Sequence, residues 1–243
     1  MRVLGIDTAS RTNSIGLIDG DRVAADFAWD ARDSSLQQII VNTDLVLKRS
    51  GLTLAEMDGL AVGIGPGSWT GVRIGVTVTK IMAHAVNKPL CGISSLEAMA
   101  HQSKGASLLL CPLVDAGREN VYAAFYRVRG KELTREGEYY AGSIRGLTER
   151  VKEPVMFLGR PAYLYRGVIT SEMGALARFG SPSDTPSGSV FASLSLPRFA
   201  AGVADDALSL VPLYLGESLA QALLRKKEAE AGGGRGSRPD PEG

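Results

Sequence analysis

The sequence contains little that would build a metal centre, a disulfide framework or a membrane span. Its 243 residues include two histidines and two cysteines, and these form no group with the spacing of a zinc site. Cys91 and Cys111 each adjoin apolar segments, which predicts buried thiols in a reducing compartment. The apolar runs are far shorter than the roughly 20 residues of a membrane span, and the first residues lack a signal-peptide pattern. These absences predict a cytoplasmic protein without metal ligands or membrane contact.

An excess of charge of one sign is also absent. The chain has 27 Lys and Arg against 26 Asp and Glu, which gives a net charge of +1. No strong electrostatic attraction to nucleic acid or to an anionic membrane is therefore expected. The length fits one large domain or two small ones.

The most informative stretch of the sequence is residues 60–87. The apolar run Leu60–Ile64 predicts a buried strand. The following Gly-Pro-Gly-Ser predicts a type II turn with a positive φ at Gly67. Ser68 or Thr70 is expected to cap a helix that extends to about residue 86.

This helix combines a narrow polar stripe with an apolar arc that is wider than packing on one sheet requires. Within the arc, one surface is bulky and another is built from small residues that would allow close approach of a backbone. The bulky surface is Ile74, Val78, Ile81 and Ala85, and the small one is Gly71, Gly75, Thr79 and Ala83. The pattern fits two arrangements equally well. The helix lies between two layers of its own protein, or it has its own core on one side and a partner helix on the other.

The preceding helix, predicted over residues 36–50, carries apolar residues on two sides. Its predicted core stripe consists of Leu36, Ile39, Ile40, Thr43, Val46 and Leu47. Val41 and Leu45 lie outside this stripe, four residues apart. Together with the wide apolar arc of the next helix, they suggest a shared contact surface.

Polar residues follow two predicted strands. Asp7 and Asp115 each end a strand, and nearby lie Thr8, Ser10 and Gly117. Carboxylates and backbone N–H groups at such positions can hold Mg²⁺ and a phosphate, which would fit a small ATPase or kinase. They can also close a strand end by bonding to local backbone, and for Asp7 the residues by themselves favour this interpretation.

An order of three strands and a helix occurs twice along the chain, which indicates a repeat of topology without a repeat of sequence. The two parts are residues 1–104 and residues 105–215, here called the first and the second lobe. Residues 185–195 are predicted to be a surface loop and residues 199–209 a helix. Residues 216–229 are expected to include a last helix that packs back on the first lobe, and residues 230–243 to be disordered.

Five segments together resemble the bacterial TsaB (YeaZ) family of tRNA threonylcarbamoyladenosine biosynthesis. They are IDTASRTNSIGLID, VGIGPGSWTGVRIG, GISSLEAMA, VDAGRENVYAAFY and PLYL. The resemblance implies an α/β fold of the actin/hexokinase/Hsp70 (ASKHA) type, with two related lobes of which the second is reduced. The sequence departs from the family pattern at Ser35-Leu36, where many members have His-Ser, and at Gly216, where an arginine is common.

The resemblance also implies a noncatalytic role beside a TsaD-like subunit, which transfers a threonylcarbamoyl group to the tRNA adenosine next to the anticodon. This chain lacks the His-x-x-x-His pair that such a catalytic relative needs. A TsaE-like ATPase is expected to join the pair, tRNA to bind through the complex, and the chain alone to form a homodimer. No required cofactor is implied, although ATP or ADP at the lobe or subunit junction would be compatible.

In this family the first two long helices form the contact with TsaD, and here they carry the surplus apolar surface. The predicted interface consists of Val41, Leu45, Gly71, Val72, Gly75, Val76, Thr79 and Ala83. The substitution Val76→Glu is accordingly expected to weaken association and to leave the fold intact.

Overall fold

The computed structural model describes residues 1–30, 36–130, 132–180 and 186–215. Ser35, the predicted helix near the C-terminus and the predicted disordered tail lie outside these ranges.

The first sheet is built from the N-terminal part of the chain. Its strands are β1 (Arg2–Asp7), β2 (Thr12–Asp19), β3 (Arg22–Asp30), β4 (Gly59–Gly63) and β5 (Leu90–Ile93). They lie in the order β3-β2-β1-β4-β5. The first three form an antiparallel meander, whereas β1, β4 and β5 are parallel.

The second sheet repeats this arrangement. Its strands are β6 (Leu109–Gly117), β7 (Asn120–Arg129), β8 (Glu132–Ser143), β9 (Val155–Leu158) and β10 (Ala177–Phe179). Their order, β10-β9-β6-β7-β8, places an antiparallel meander beside parallel strands as in the first sheet. The predicted repeat of topology is therefore confirmed.

The helices show why the second lobe is the smaller one. The first sheet is covered by α1 (Leu36–Arg49) and α2 (Trp69–Ala85), of 14 and 17 residues. The second sheet carries three helices of five to eight residues, namely α4 (Ile144–Thr148), α5 (Arg160–Leu164) and α6 (Arg166–Met173).

Two further helices lie between the sheets. They are α3 (Ser95–Gln102) and α7 (Gly188–Ala200), which contact each other. Because side chains alternate along a strand, each sheet has two apolar faces. In β1, for example, Leu4 packs toward α1 and α2, whereas Val3 packs toward α7. The fold is thus a stack of layers in which α3 and α7 join the two lobes.

Helix α7 corrects two predictions. Residues 188–195 are helical rather than a surface loop, and of the helix predicted over residues 199–209 only the first two residues are helical. The small residues allow its backbone to lie directly on the sheet, because a Cβ on Gly16 would clash with the backbone of Ser189. The glycine and serine residues that predicted a loop therefore allow close packing of α7 on the first sheet.

Residues 203–215, which we call the strap, run back along the edge of the first sheet. The Asp205 amide donates to the Leu90 carbonyl (2.8 Å), and the Asp205 carboxylate accepts from the Gly92 amide (2.7 Å) and from Arg198 (2.8 Å). These bonds protect the edge strand β5. Helix α7 and the strap both pack on the first sheet. Residues 186–215 therefore belong to the first lobe, whereas the predicted boundary assigned them to the second.

The turn before α2 also differs from the expectation. The positive φ lies at Gly65 (+89°), after which the peptide bond to Pro66 is cis, and Gly67 has no positive φ. Gly67 is needed for space instead, because a Cβ there would clash with the Ala9 carbonyl. The predicted cap is confirmed at Ser68, whose hydroxyl accepts from the Gly71 amide at 3.2 Å.

Candidate functional site

The small-residue surface of α2 is an interior surface of the first lobe. Val76 is 3% exposed, and its predicted interface neighbours Val72, Gly75, Thr79 and Ala83 are buried as well. A side chain without accessible surface cannot contact a partner protein. These five residues are therefore removed from the predicted interface, and the first of the two arrangements left open by the sequence applies to this side of α2.

The end of β1 occupies the space beside these small residues. A Cβ on Gly71 would clash with the Thr8 carbonyl oxygen, and a Cβ on Gly75 would clash with the Thr8 hydroxyl. The Thr8 hydroxyl donates to the Gly71 carbonyl at 2.7 Å. The small side chains thus allow α2 to approach its own sheet. Gly71 is half-buried, and contact with Thr8 inside the lobe explains its small size.

The apolar residues of α1 are also distributed differently from the prediction. Leu36 and Ile40, both assigned to the core stripe, are nearly half exposed, and Asn42 is buried instead. The buried Asn42 accepts a hydrogen bond from Gln38 at 3.0 Å, which offsets part of its desolvation. Of the two predicted interface residues, Val41 is exposed and Leu45 is half-buried, so both remain available for contact.

Helices α1 and α2 lie side by side, and their facing edges carry the exposed apolar residues. Right-handed crossovers between the parallel strands β1, β4 and β5 place both helices on one face of the sheet. At 100° per residue, the edge of α1 toward α2 carries Leu36, Ile40 and Leu47. The facing edge of α2 carries Ile74, Val78, Ile81 and Ala85 by the same geometry.

Along these two edges, side chains are more buried the nearer they lie to the sheet. Leu47 and Val78, which lie nearer the sheet, are buried, whereas Ile40 is 46% and Ile81 is 59% exposed. Four exposed residues and the half-buried Ile74 form an apolar groove between the helices, which we call the α1–α2 groove. It is made by Leu36, Ile40, Ile74, Ile81 and Ala85. Val41 and Leu45 lie on the other edge of α1, outside this groove.

The sequence pattern contained part of this answer. Ile74 and Ile81 belong to the bulky surface recognised on α2. The predicted interface was instead assigned to the neighbouring small residues, which pack inside the lobe. The useful signal was the width of the apolar arc of α1. With Leu36 and Ile40 included, this arc is wider than a helix that packs on one sheet needs to bury.

The Asp7 carboxyl lies inside the protein, on the side of β1 that faces α7. The residue is fully buried, and a Cβ on Gly63 would clash with its carboxyl. One carboxyl oxygen accepts from the Ala9 amide at 3.3 Å, and the other finds no hydrogen-bond partner among the residues that the structure describes. Burial raises the pKa of Asp7 to about 7, which the backbone hydrogen bonds only partly oppose. This carboxyl has no surface from which to hold a metal ion.

The other residues of the predicted nucleotide site are partly engaged with backbone. The Thr8 hydroxyl is committed to Gly71, and the Ser10 hydroxyl donates to the Thr12 carbonyl at 2.7 Å. Asp115 is exposed and accepts from the Gly117 amide at 2.8 Å, within its own turn. The structure therefore supports closure of the first strand end by local bonds, and leaves Ser10 and the Asp115–Gly117 turn accessible.

Within the ranges that the structure describes, no three His, Cys, Asp or Glu side chains form a group able to bind a metal ion. None of the helices in those ranges combines the length and the apolar character needed to cross a membrane.

Comparison with known proteins identifies relatives over nearly the whole chain. Residues 30–151, which include both helices of the groove, match the family model "TsaD: tRNA N6-adenosine threonylcarbamoyltransferase". The chain is 30% identical over 235 residues to the tRNA threonylcarbamoyladenosine biosynthesis protein TsaB of Bacillus subtilis, covering 95% of this chain and 97% of that one. It is 37% identical over 130 residues to the TsaB protein of Escherichia coli, covering 52% and 55% of the two chains.

A solved structure has the same fold. It is that of an uncharacterized Pseudomonas aeruginosa protein with similarity to peptidase YEAZ, which superimposes with a TM-score of 0.76 at 24% identity, over 88% of this chain and 99% of that one. This likeness supports the two-lobed α/β architecture. Similarity over the full length, and not the groove alone, decides the assignment: the chain belongs to the TsaB (YeaZ) family of tRNA threonylcarbamoyladenosine biosynthesis proteins.

Proposed function

We propose that this protein is a noncatalytic scaffold subunit that pairs with a TsaD-like subunit and supports threonylcarbamoylation of the tRNA adenosine next to the anticodon. The observation that carries the proposal is the exposed α1–α2 groove. Ile40 and Ile81 are about half exposed there, and an exposed apolar surface of this kind favours a protein contact.

The match to the TsaD family model supports the choice of partner. Residues 30–151 contain α1 and α2, so a TsaD-like protein contains a related segment. Two related helix pairs can meet about an approximate two-fold axis and form a four-helix contact. The same self-complementarity would permit a homodimer when the partner is missing.

The buried Asp7 supports a noncatalytic role. Phosphoryl transfer requires a carboxylate that holds Mg²⁺ beside the nucleotide, and the Asp7 carboxyl is fully enclosed. The proposal therefore assigns no catalytic group and no required cofactor to this chain. A TsaE-like ATPase and tRNA are further components of the proposed complex. ATP or ADP at the lobe or subunit junction would be used by these components and not by this chain.

The test is association with the TsaD-like protein of the same organism, measured as solution mass and by calorimetric titration. Wild type should form a complex, and Ile81→Glu should weaken it at least tenfold. Leu164→Glu is the matched control, because Leu164 is 61% exposed on α5 in the second lobe. Equal binding by all three proteins would refute the groove as the interface. ATP turnover by the purified chain, without complex formation, would replace the proposal with a small ATPase or kinase.

A further inference from the structure

A small cavity lies where the two lobes meet, between α3 and the outer strands β7 and β8 of the second sheet. Its volume is about 250 Å³, which corresponds to about eight water molecules in the liquid. This is less than the roughly 300–1,000 Å³ of pockets that bind drug-sized ligands and cofactors, so the cavity suits a smaller metabolite. It is lined by Glu97, Tyr126, Leu133, Arg135 and Tyr139.

The cavity is distinct from the sites discussed above. Asp115 and Gly117 belong to the turn that precedes β7, whereas Tyr126 lies six residues beyond the start of that strand. An extended chain covers about 20 Å over six residues. The α1–α2 groove lies on the opposite face of the first sheet. A ligand in the cavity would therefore contact neither the predicted nucleotide residues nor the proposed interface.

One polar group at the cavity is a buried hydroxyl. Tyr126 is 2% exposed, and its hydroxyl has no hydrogen-bond partner in the part of the chain that the structure describes. Burial raises the pKa of Tyr126, and the nearby Tyr139 and Glu97, which also line the cavity, raise it further. The Ser94 hydroxyl is near enough to lower this pKa, but the two hydroxyls do not reach hydrogen-bond geometry. A buried hydroxyl without a partner is unfavourable, and a ligand that bonds to it removes this cost.

The two charged groups of the cavity lie on different walls. Glu97 belongs to α3, and Arg135 belongs to β8, directly opposite Tyr126 in the strand pairing. Burial raises the pKa of Glu97, which the charges of Arg198 and Arg135 partly oppose. Arg198 is already paired with Asp205 at 2.8 Å. Within the described ranges neither Glu97 nor Arg135 forms an ion pair, although both face the same cavity.

Arg135 is held in a position that suits an anion. Its guanidinium lies over the Tyr139 ring, 4.0 Å from the ring centroid. A guanidinium stacked in this way keeps its charge, and the N–H groups at its edge match the two oxygens of a carboxylate. The half-buried Glu97 offers the complementary group, because a bound cation would stabilise its ionised form. A ligand that carries both charges would therefore satisfy both walls.

We propose that this cavity binds a small free α-amino acid. Arg135 binds its carboxylate, and Glu97 accepts hydrogen bonds from its ammonium group. The Tyr126 hydroxyl donates to the same carboxylate, since directly opposite residues of two paired strands project from the same face of the sheet. A zwitterion matches the zero net charge of Glu97 and Arg135 together, whereas a simple anion or cation would leave one of them unpaired. The site does not depend on the proposed pairing with a TsaD-like protein.

NMR titration of the full chain tests the proposal. The ligands used are L-alanine, L-valine and L-threonine, which differ in the size and polarity of the side chain. At least one should shift the amide signals of α3 and β8 in a saturable manner and leave those of α1 unchanged. For each amino acid that binds, the amide lacks the carboxylate and the desamino acid lacks the ammonium group. Both analogues should bind at least tenfold more weakly, because each loses a charge-assisted hydrogen bond.

Point variants locate the binding site. Arg135→Gln and Glu97→Gln should each weaken binding of the same amino acid at least tenfold. Arg150→Gln is the matched control, because Arg150 also lies over a tyrosine ring, that of Tyr140 at 4.7 Å, but does not line the cavity. Tyr126→Phe should weaken binding about threefold to tenfold without lowering stability in urea, since its hydroxyl has no partner in the described protein to lose.

A further variant keeps the proposal testable if a charge variant fails to fold. Leu133→Trp fills the cavity while both charges remain, and it should abolish binding. Absence of saturable shifts with all three amino acids at millimolar concentration would overturn the proposal. Equal binding by the desamino acid would also overturn it, since the site would then recognise a simple anion. A loss of binding in Arg150→Gln as large as in Arg135→Gln would show that the ligand binds elsewhere.

Discussion

Two glutamate substitutions on α2 should separate folding from association. Val76 and Ile81 are five residues apart on the same helix, but Val76 is 3% and Ile81 is 59% exposed. Val76→Glu removes an apolar side chain from the core, which costs about 1.5–3 kcal/mol. It also buries a carboxylate, at several kcal/mol more. The sum, about 5 kcal/mol or more, is comparable to the whole stability of a typical domain.

Ile81→Glu should leave the fold nearly unchanged. Glutamate is a good helix former, and a substitution at an exposed position away from special features usually changes stability by no more than about 0.5 kcal/mol. In a partner interface the same change places a charge in an apolar contact. A cost of about 2 kcal/mol, typical of a central interface residue, corresponds to a roughly 30-fold weaker complex.

Urea unfolding followed by circular dichroism, and calorimetric titration with the TsaD-like protein, measure the two effects separately. We expect Val76→Glu to be unfolded or severely destabilised, in contrast to the expectation from sequence alone. We expect Ile81→Glu to unfold like wild type and to bind poorly. A stable Val76→Glu variant that fails to bind would show that the buried face of α2 is a contact surface after all, and the packing argument would be refuted.

Three further predictions concern the lobe that carries the groove. Because burial raises the pKa of Asp7 to about 7, the folded protein keeps a proton that the unfolded chain loses above about pH 4. The contribution of Asp7 to stability is therefore complete below pH 4 and is lost as the pH rises toward 7, at about 1.4 kcal/mol per pH unit. The difference in unfolding free energy between wild type and Asp7→Asn should show this slope, and a pH-independent difference would contradict it. Gly16→Ala should destabilise the protein by about 2–3 kcal/mol in urea, since its Cβ meets the α7 backbone, whereas Gly105→Ala, with open space around it, should change little. Asp205→Ala should speed hydrogen exchange of the Gly92 amide, its partner at 2.7 Å, and unchanged exchange would show that this bond does not hold the strap.

Local features of the protein were readable from the sequence because their causes are local. The strand before α2 and the cap at Ser68 follow from apolar runs and from a hydroxyl at a helix start. The shared topology of the two sheets was visible in the sequence as two successive sets of three strands and a helix. The motif around GPGSWTGVRIG pointed to the family that comparison over 95% of the chain then established.

Which surface of each helix is inside was decided only by the tertiary structure. Periodicity shows that α2 has a wide apolar arc, but the neighbour that fills one side of it is Thr8, more than 60 residues earlier in the chain. The same is true of α7, whose glycine and serine residues predict a loop until Gly16 is placed against them. The sequence by itself determined strand β4, helices α1 and α2, the cap at Ser68 and the family. Contacts between residues distant in sequence determined that Val76 and Asp7 are buried and that Ile40 and Ile81 remain at the surface. Burial depends on which parts of the chain meet in space, and the sequence pattern of a single helix does not contain that information.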